Sequence, residues 1–288
     1  MKTIDACPAK EPVTYSKRAL LTFFTAVFWL TAVLETIICI DKLNGLLLIL
    51  MWVPGFSAIL AILYTGIYQR KPISIHAIFT LTGFHKCKKS YILLAIALPL
   101  IYILVPYLIY WWMKPQSFTT GGVPMHTLLI STLVKMVVGV VLNILVTSGE
   151  EIGWRGFMQP GLTEQIGLKK AILATSTFWV VWHLPVLIFG DYMSGAALYY
   201  QIPAFILCIL PVGIIVGILT YRSGSVWPAI FLHSAHNNFD QAVFGAMTTS
   251  DQKMYFVSET GCLTIACAWI IAIYMMCKYF PKEPNSIA

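Results

Sequence analysis

The sequence predicts an all-α polytopic membrane protein, a transmembrane helical bundle of about eight spans with both termini cytoplasmic. Three observations predict it. Only 11% of the 288 residues are charged and 58% are hydrophobic, with a mean hydropathy of +0.78, whereas a soluble domain carries about 25% charged residues. The apolar residues come in continuous runs of about 20, long enough to cross a bilayer as helix. Lipid leaves only helices or closed barrels, and runs that do not alternate choose helices. The positive residues, finally, gather between alternate runs.

The runs lie near 19–40, 45–68, 91–113, 126–148, 171–190, 198–220, 226–246 and 255–277. The first follows Lys10, Lys17 and Arg18, exceeds a signal-peptide apolar region and lacks a small-residue cleavage site, so it reads as a retained span. Between the runs sit Asp41-Lys42, the basic loop Arg70 to Lys89, Lys114 to Pro124, Gly149 to Lys170, Asp191 to Gly195, Arg222 to Ser225 and Met247 to Lys253. Of the 19 Lys and Arg, 15 fall on one side: Lys2, Lys10, Lys17, Arg18, Arg70, Lys71, Lys86, Lys88, Lys89, Arg155, Lys169, Lys170, Arg222, Lys278 and Lys282. Lys42, Lys114 and Lys253 fall on the other, and Lys135 inside a span. Positive loops face the cytoplasm, so this split supports both the span count and cytoplasmic termini.

The net charge of +7 does not imply a nucleic acid, because the positive residues sit between apolar runs and not along one face. Their expected partner is anionic lipid. The seven cysteines (Cys7, Cys39, Cys87, Cys208, Cys262, Cys267, Cys277) form no CxxC pair and fit neither a disulfide framework nor a zinc ribbon. No repeat or long linker divides the chain, which reads as one membrane-embedded domain over 1–288 with a motif-bearing core at 126–246.

Ionisable groups inside spans cost about 2.5–3.5 kcal/mol each on insertion scales, so each needs a reason. They are Glu35, Lys135, the Glu150-Glu151-Arg155 group, His183, His233, His236 and Asp240. Lys135 is expected to pair with Glu35. Glu150 and Glu151 directly follow the fourth run, at or below the cytoplasmic interface. Glu151 and Arg155 are spaced i, i+4 and can pair on one helix face, while Glu150 is turned about 100° away and stays available. Alone, this cluster is equally compatible with an interfacial cap. His183 lies deep in an apolar stretch beside the helix-loosening Pro185; a lone histidine there is also what a packing residue looks like. His233 and Asn237 are one turn apart, with His236 and Asp240 extending the same stripe, a face too polar to meet lipid. Three spans thus bring a general base, a histidine for water and neutral oxyanion donors into the membrane, a hydrolytic set. The sequence has no HExxH zinc helix and no GxSxG elbow.

These residues resemble the CPBP intramembrane endopeptidases, which include CAAX prenyl proteases of the Rce1 type and the bacterial Abi proteins. The EExxxR motif reads as Glu150-Glu151 with Arg155. FxxxH falls on Trp179 to His183, with tryptophan where phenylalanine is usual and Phe178 one residue early, an exchange that keeps an aromatic and is expected to be neutral. HxxxN reads as His233 to Asn237. Together the motifs span residues 150 to 237, about a third of the chain. The resemblance implies a glutamate-dependent peptidase in a bacterial cell membrane. Glu150 is the implied general base sharing a water with His183; His233 and Asn237 are the implied oxyanion donors, and Glu151 with Arg155 the implied brace. It implies no cofactor, with zinc on Glu150, His183 and His233 as the alternative. The implied substrate is a membrane-associated or prenylated protein or peptide. Two rivals remain at this point. One is a non-catalytic bacteriocin-immunity or scaffold protein of the same family; the other is a transporter using Glu35, Lys135 and Asp240, which would call for two related halves that the sequence lacks.

Overall fold

A computed structural model describes residues 15–70, 73–190, 192 and 195–280. Cys7, Lys2, Lys10, Lys71, Asp191 and Lys282, which entered the counts above, lie outside them. Among the described residues there is no strand, only an isolated bridge between Phe118 and Thr248. Among the described residues seven helices are long and apolar enough to cross a membrane: α1 (Lys17–Asp41), α2 (Leu47–Tyr68), α3 (Lys89–Met113), α4 (Met125–Ile166), α5 (Leu168–Ile188), α6 (Leu198–Ser223) and Cys262–Tyr279. The chain is therefore an integral membrane protein. The remaining expected span, 226–246, is helical throughout but interrupted. It comprises α7 (Trp227–Asn237), a π-turn at Asn238–Phe244 and a 3₁₀ turn at Gly245–Met247. Cys262–Tyr279 is accordingly α8.

Local chemistry sets the boundaries. Ser16 caps α1 by accepting from the Ala19 amide, and Lys42 closes it in a left-handed turn. Gly167, at φ 80°, takes the left-handed turn that separates α4 from α5. Pro99 and Pro106 flank the π-turn Leu100–Leu104 in α3, since each removes a backbone donor from the ladder.

The largest departure from expectation is α4. The sequence predicts a span ending at 148 and a loop from Gly149 to Lys170; the helix instead runs 42 residues to Ile166, with a π-turn at Ile152–Met158. Hydropathy falls at Gly149-Glu150-Glu151, but every residue from Thr147 to Gln159 is buried by neighbouring helices, not by lipid. Close approach explains the glycines there. A Cβ on Gly149 would stand 2.5 Å from the Met51 carbonyl oxygen, one on Gly153 2.4 Å from Pro54 Cβ, and one on Gly156 2.2 Å from the Thr82 carbonyl oxygen. These three glycines let α4 lie against the start of α2 and the loop after the short helix Ile75–Leu81.

Hydrogen bonds sort the helix ends onto two faces. At one, Tyr15 meets Leu81 and Glu164, the Val226 amide donates to the Gly83 carbonyl, Ser225 donates to the His85 carbonyl, and Arg222 lies over the Tyr279 ring. At the other, Lys42 donates to the Phe189 carbonyl, the Thr119 amide to the Met247 carbonyl, the Thr249 amide to the Ser117 carbonyl, and Tyr192 to Glu259. The first face carries the basic loops. Because Val226 sits at one face and Met247 at the other, α7 and its extension run from one face of the bundle to the other.

The expected Lys135–Glu35 pair does not form. Glu35 is buried on α1 with Oε1 unpartnered, while Lys135 is exposed on α4, whose outer half meets little protein. A lysine on such a face runs its stem along apolar surface to reach water.

Candidate active site

Glu150, His183, His233 and Asn237, from α4, α5 and α7, line one cavity of about 170 Å³ together with Leu47, Leu50, Met51, Trp182, Val186, Tyr192 and Gln241. The four residues to which the resemblance gives catalytic roles therefore converge. Behind them Glu151 and Arg155 pair at 3.0 Å, both buried. Glu151 Oε1 also takes His233 Nδ1 at 2.9 Å. The i, i+4 pairing is as expected, and it holds the histidine as well as the arginine.

The two oxygens of Glu150 differ. Oε2 accepts from the Trp179 indole N–H at 2.6 Å, a short charge-assisted bond. Oε1 is buried without a hydrogen-bond partner in the protein. Trp179 also carries the Arg155 guanidinium 4.3 Å above its ring and touches the His233 ring at 5.3 Å between centroids. The expectation that the tryptophan exchange is neutral misses this contact, because only an indole brings a donor to that position. Phe178 points elsewhere, half-exposed against Phe24.

His183 Nδ1 lies 2.7 Å from the Trp179 carbonyl, which can only accept, so Nδ1 carries a proton and Nε2 is left with a lone pair in the neutral ring. His233 Nδ1 is likewise committed to Glu151. A donor on His233 Nε2 therefore requires the imidazolium form, whose charge Glu151 faces directly.

A second polar cluster adjoins the cavity. Glu259 accepts from Tyr192 at 3.2 Å, from Gln241 at 3.2 Å and from His236 Nε2 at 3.3 Å, and His236 Nδ1 meets the Tyr102 hydroxyl at 3.0 Å. Asp240 accepts from Tyr107 at 3.1 Å and Ser258 at 3.0 Å. Burial pushes the Glu259 carboxyl up, but the hydrogen bonds and charge of His236 and the Gln241 donor outweigh it and hold the group below its ordinary range. Tyr192 and Gln241 belong to both cluster and cavity wall, so Glu259 fixes that wall. Sequence reasoning named His236 and Asp240 without a task and passed over Glu259, Tyr192 and Gln241. Glu259 was findable: it falls inside the apolar run 255–277 and meets the criterion that flagged Glu35.

Among the described residues no group of three His, Cys, Asp or Glu is arranged to hold a metal ion. The alternative zinc set Glu150, His183 and His233 is thus not preassembled, and Trp179 already occupies one Glu150 oxygen.

A family model described as type II CAAX prenyl endopeptidase Rce1-like matches residues 130–239. A CAAX prenyl protease 2 of Methanococcus maripaludis is 30% identical over 171 residues, which is 58% of this chain and 55% of that relative. The matched part spans only about half the length of the relative. The matched residues 130–239 contain α7, the π-turn of α4 and all three motifs. Over that segment the chain is similar to type II CAAX prenyl endopeptidases of the Rce1-like kind.

Proposed function

We propose that this chain is an intramembrane endopeptidase in which Glu150 activates a water for attack on a peptide carbonyl, the whole chain serving as one peptidase domain in a cell membrane. The observation that carries this reading is the convergence of an unpartnered carboxylate oxygen, an imidazole lone pair, a second histidine and an amide on one buried cavity. Water bridges Glu150 Oε1 and His183 Nε2. As its oxygen bonds to the carbonyl carbon, one water proton passes to Oε1 and the carbonyl π electrons move to oxygen. Asn237 and the imidazolium of His233 donate to that oxyanion. Collapse of the intermediate breaks the C–N bond, and the proton on Glu150 goes to the leaving amine. Trp179 keeps Oε2 occupied and so presents Oε1 as the base; Glu151 and Arg155 hold the histidine and the indole from behind. The mechanism uses no cofactor.

The test is cleavage of a panel of internally quenched peptides, prenylated and unprenylated, by the purified protein in lipid. Glu150→Gln is expected to lower turnover by about 10²–10⁴-fold, the usual range for a general base, with unchanged thermal unfolding. Cleavage that survives Glu150→Gln sinks the mechanism. Loss of wild-type cleavage on chelation, restored by zinc, sinks the metal-free form of it.

A further inference from the structure

Gln241 joins the cavity of Glu150 to the buried cluster around Glu259, and its two amide atoms face different partners. Its nitrogen lies 3.2 Å from Glu259 Oε1, the oxygen that also takes His236 Nε2. An ionised carboxylate only accepts, so the amide is fixed with its nitrogen turned to Glu259. Its carbonyl oxygen meets no donor among the described residues, and Gln241 is exposed while lining the cavity. Glu259 is itself held firmly. It is buried and follows Ser258, which adopts a left-handed φ of 71°. The Ser258 hydroxyl donates to Asp240 at 3.0 Å and the Thr260 hydroxyl to the Met254 carbonyl at 2.7 Å. Such strain persists only where the surroundings over-determine it, and it gathers at ligand clamps.

We propose that Gln241 is a substrate-binding residue, its carbonyl oxygen accepting a main-chain N–H of an extended peptide beside the scissile bond, and that Glu259 positions it. The proposal rests on the peptidase reading for the scissile bond. Gln241 stands four residues beyond Asn237, about one turn along the same continuous helix, and both line the cavity. One turn advances about 5 Å and an extended peptide about 3.3 Å per residue. An acceptor one turn from the oxyanion donor Asn237 therefore reaches an N–H one or two residues from the scissile carbonyl. An extended peptide brings such N–H groups unpaired, and a buried one needs an acceptor. Glu150 and His183 are engaged with the water, and the aliphatic lining has no acceptor to offer. The same carboxylate holds Tyr192, whose ring stands 6.0 Å from the His183 ring between centroids. Glu259 thus fixes both the peptide acceptor and one flank of the histidine.

An ester scan tests this. A peptide cleaved by the purified protein in lipid is resynthesised with each non-scissile backbone N–H in turn replaced by an ester oxygen, which removes one donor with little change of shape. At neutral pH, kcat/KM is measured for the wild type, Gln241→Met, Glu259→Gln and the exchanged pair Gln241→Glu/Glu259→Gln. In the wild type, one ester within two residues of the scissile bond is expected to lower kcat/KM by about five- to tenfold, the size of one hydrogen bond. Gln241→Met lowers cleavage of the all-amide peptide by a similar factor and loses sensitivity to that ester alone. Glu259→Gln loses it at the same position with Gln241 still present, which a change of stability alone does not produce. The exchanged pair rebuilds the bond with donor and acceptor swapped and regains the sensitivity. Losses that multiply at every position in Gln241→Met overturn the substrate contact. Full ester sensitivity in Glu259→Gln, or none in the exchanged pair, overturns the positioning role. Glu150→Gln reports separately on the reading beneath. Cleavage that survives it, or a wild type that cleaves no peptide, rejects the peptidase mechanism; Glu150-dependent cleavage with multiplying losses rejects only the Gln241 contact.

Discussion

Glu150 is held by one oxygen and free by the other, and the residue that creates this asymmetry is Trp179. Trp179→Phe keeps the aromatic face under Arg155 but removes the N–H. A hydrogen bond to a charged group is worth about 1.5–3 kcal/mol, so turnover is expected to drop by at least tenfold while KM stays within about twofold. Steady-state kinetics measure the split, and an equal change in both constants would mean that the indole only packs. Arg155→Ala tests the brace differently. Removing one of the two partners of the buried Glu151, with His233 left in place, is expected to cost stability up to the roughly 3–5 kcal/mol of a broken buried pair, visible as a fall in unfolding midpoint. Glu259 carries a pH signature. Its folded-state pKa is depressed, so its stabilisation is complete above the unfolded value near 4.3 and is lost as pH falls through the folded value. Glu259→Gln should therefore flatten the loss of thermal stability below about pH 4.5. At this scale Glu150, His183, His233 and Asn237 were legible because charge in an apolar run is conspicuous. Trp179 was not, since an indole donor looks like any other apolar residue until its neighbour is known.

Elements were legible in number and less so in extent. Seven runs became seven long helices because composition alone decides what lipid will accept, and the run 226–246 became α7 with its two tighter and wider turns. The extension of α4 to Ile166 escaped detection because hydropathy reports residue type, whereas Glu150, Glu151 and Arg155 are enclosed by protein. The π-turns at 152–158 and 238–244 leave no compositional mark. What the sequence does show is Gly149, Gly153 and Gly156 at helical spacing, and the packing gives them a reason. Gly149→Ala and Gly153→Ala push a methyl into backbone or proline and are expected to destabilise by at least the roughly 1–3 kcal/mol of an overpacked core. Gly45→Ala, with nothing within 4 Å of the added carbon, serves as the neutral control in the same unfolding assay.

For the molecule as a whole, the lysine and arginine count was the most informative number in the sequence, since it separated two faces that the hydrogen bonds at the helix ends then sorted independently. The apolar and polar residues that complete the cavity wall were not legible, because they depend on which turns of α2, α5 and α7 meet, and no single helix carries that. The pinning of α7 at both faces, by Gly83 at Val226 and by Thr119 at Met247, has a further consequence. His233 and Asn237 ride on a strut tied to both surfaces of the membrane, and its widest and softest turn begins at Asn238. On the proposed mechanism bilayer thickness then controls turnover: acyl chains too short or too long draw the two ties together or apart, and the strain falls on His233 and Asn237, the proposed oxyanion donors. In proteoliposomes of graded chain length, turnover should peak at one thickness and decline on either side, even where the protein remains folded.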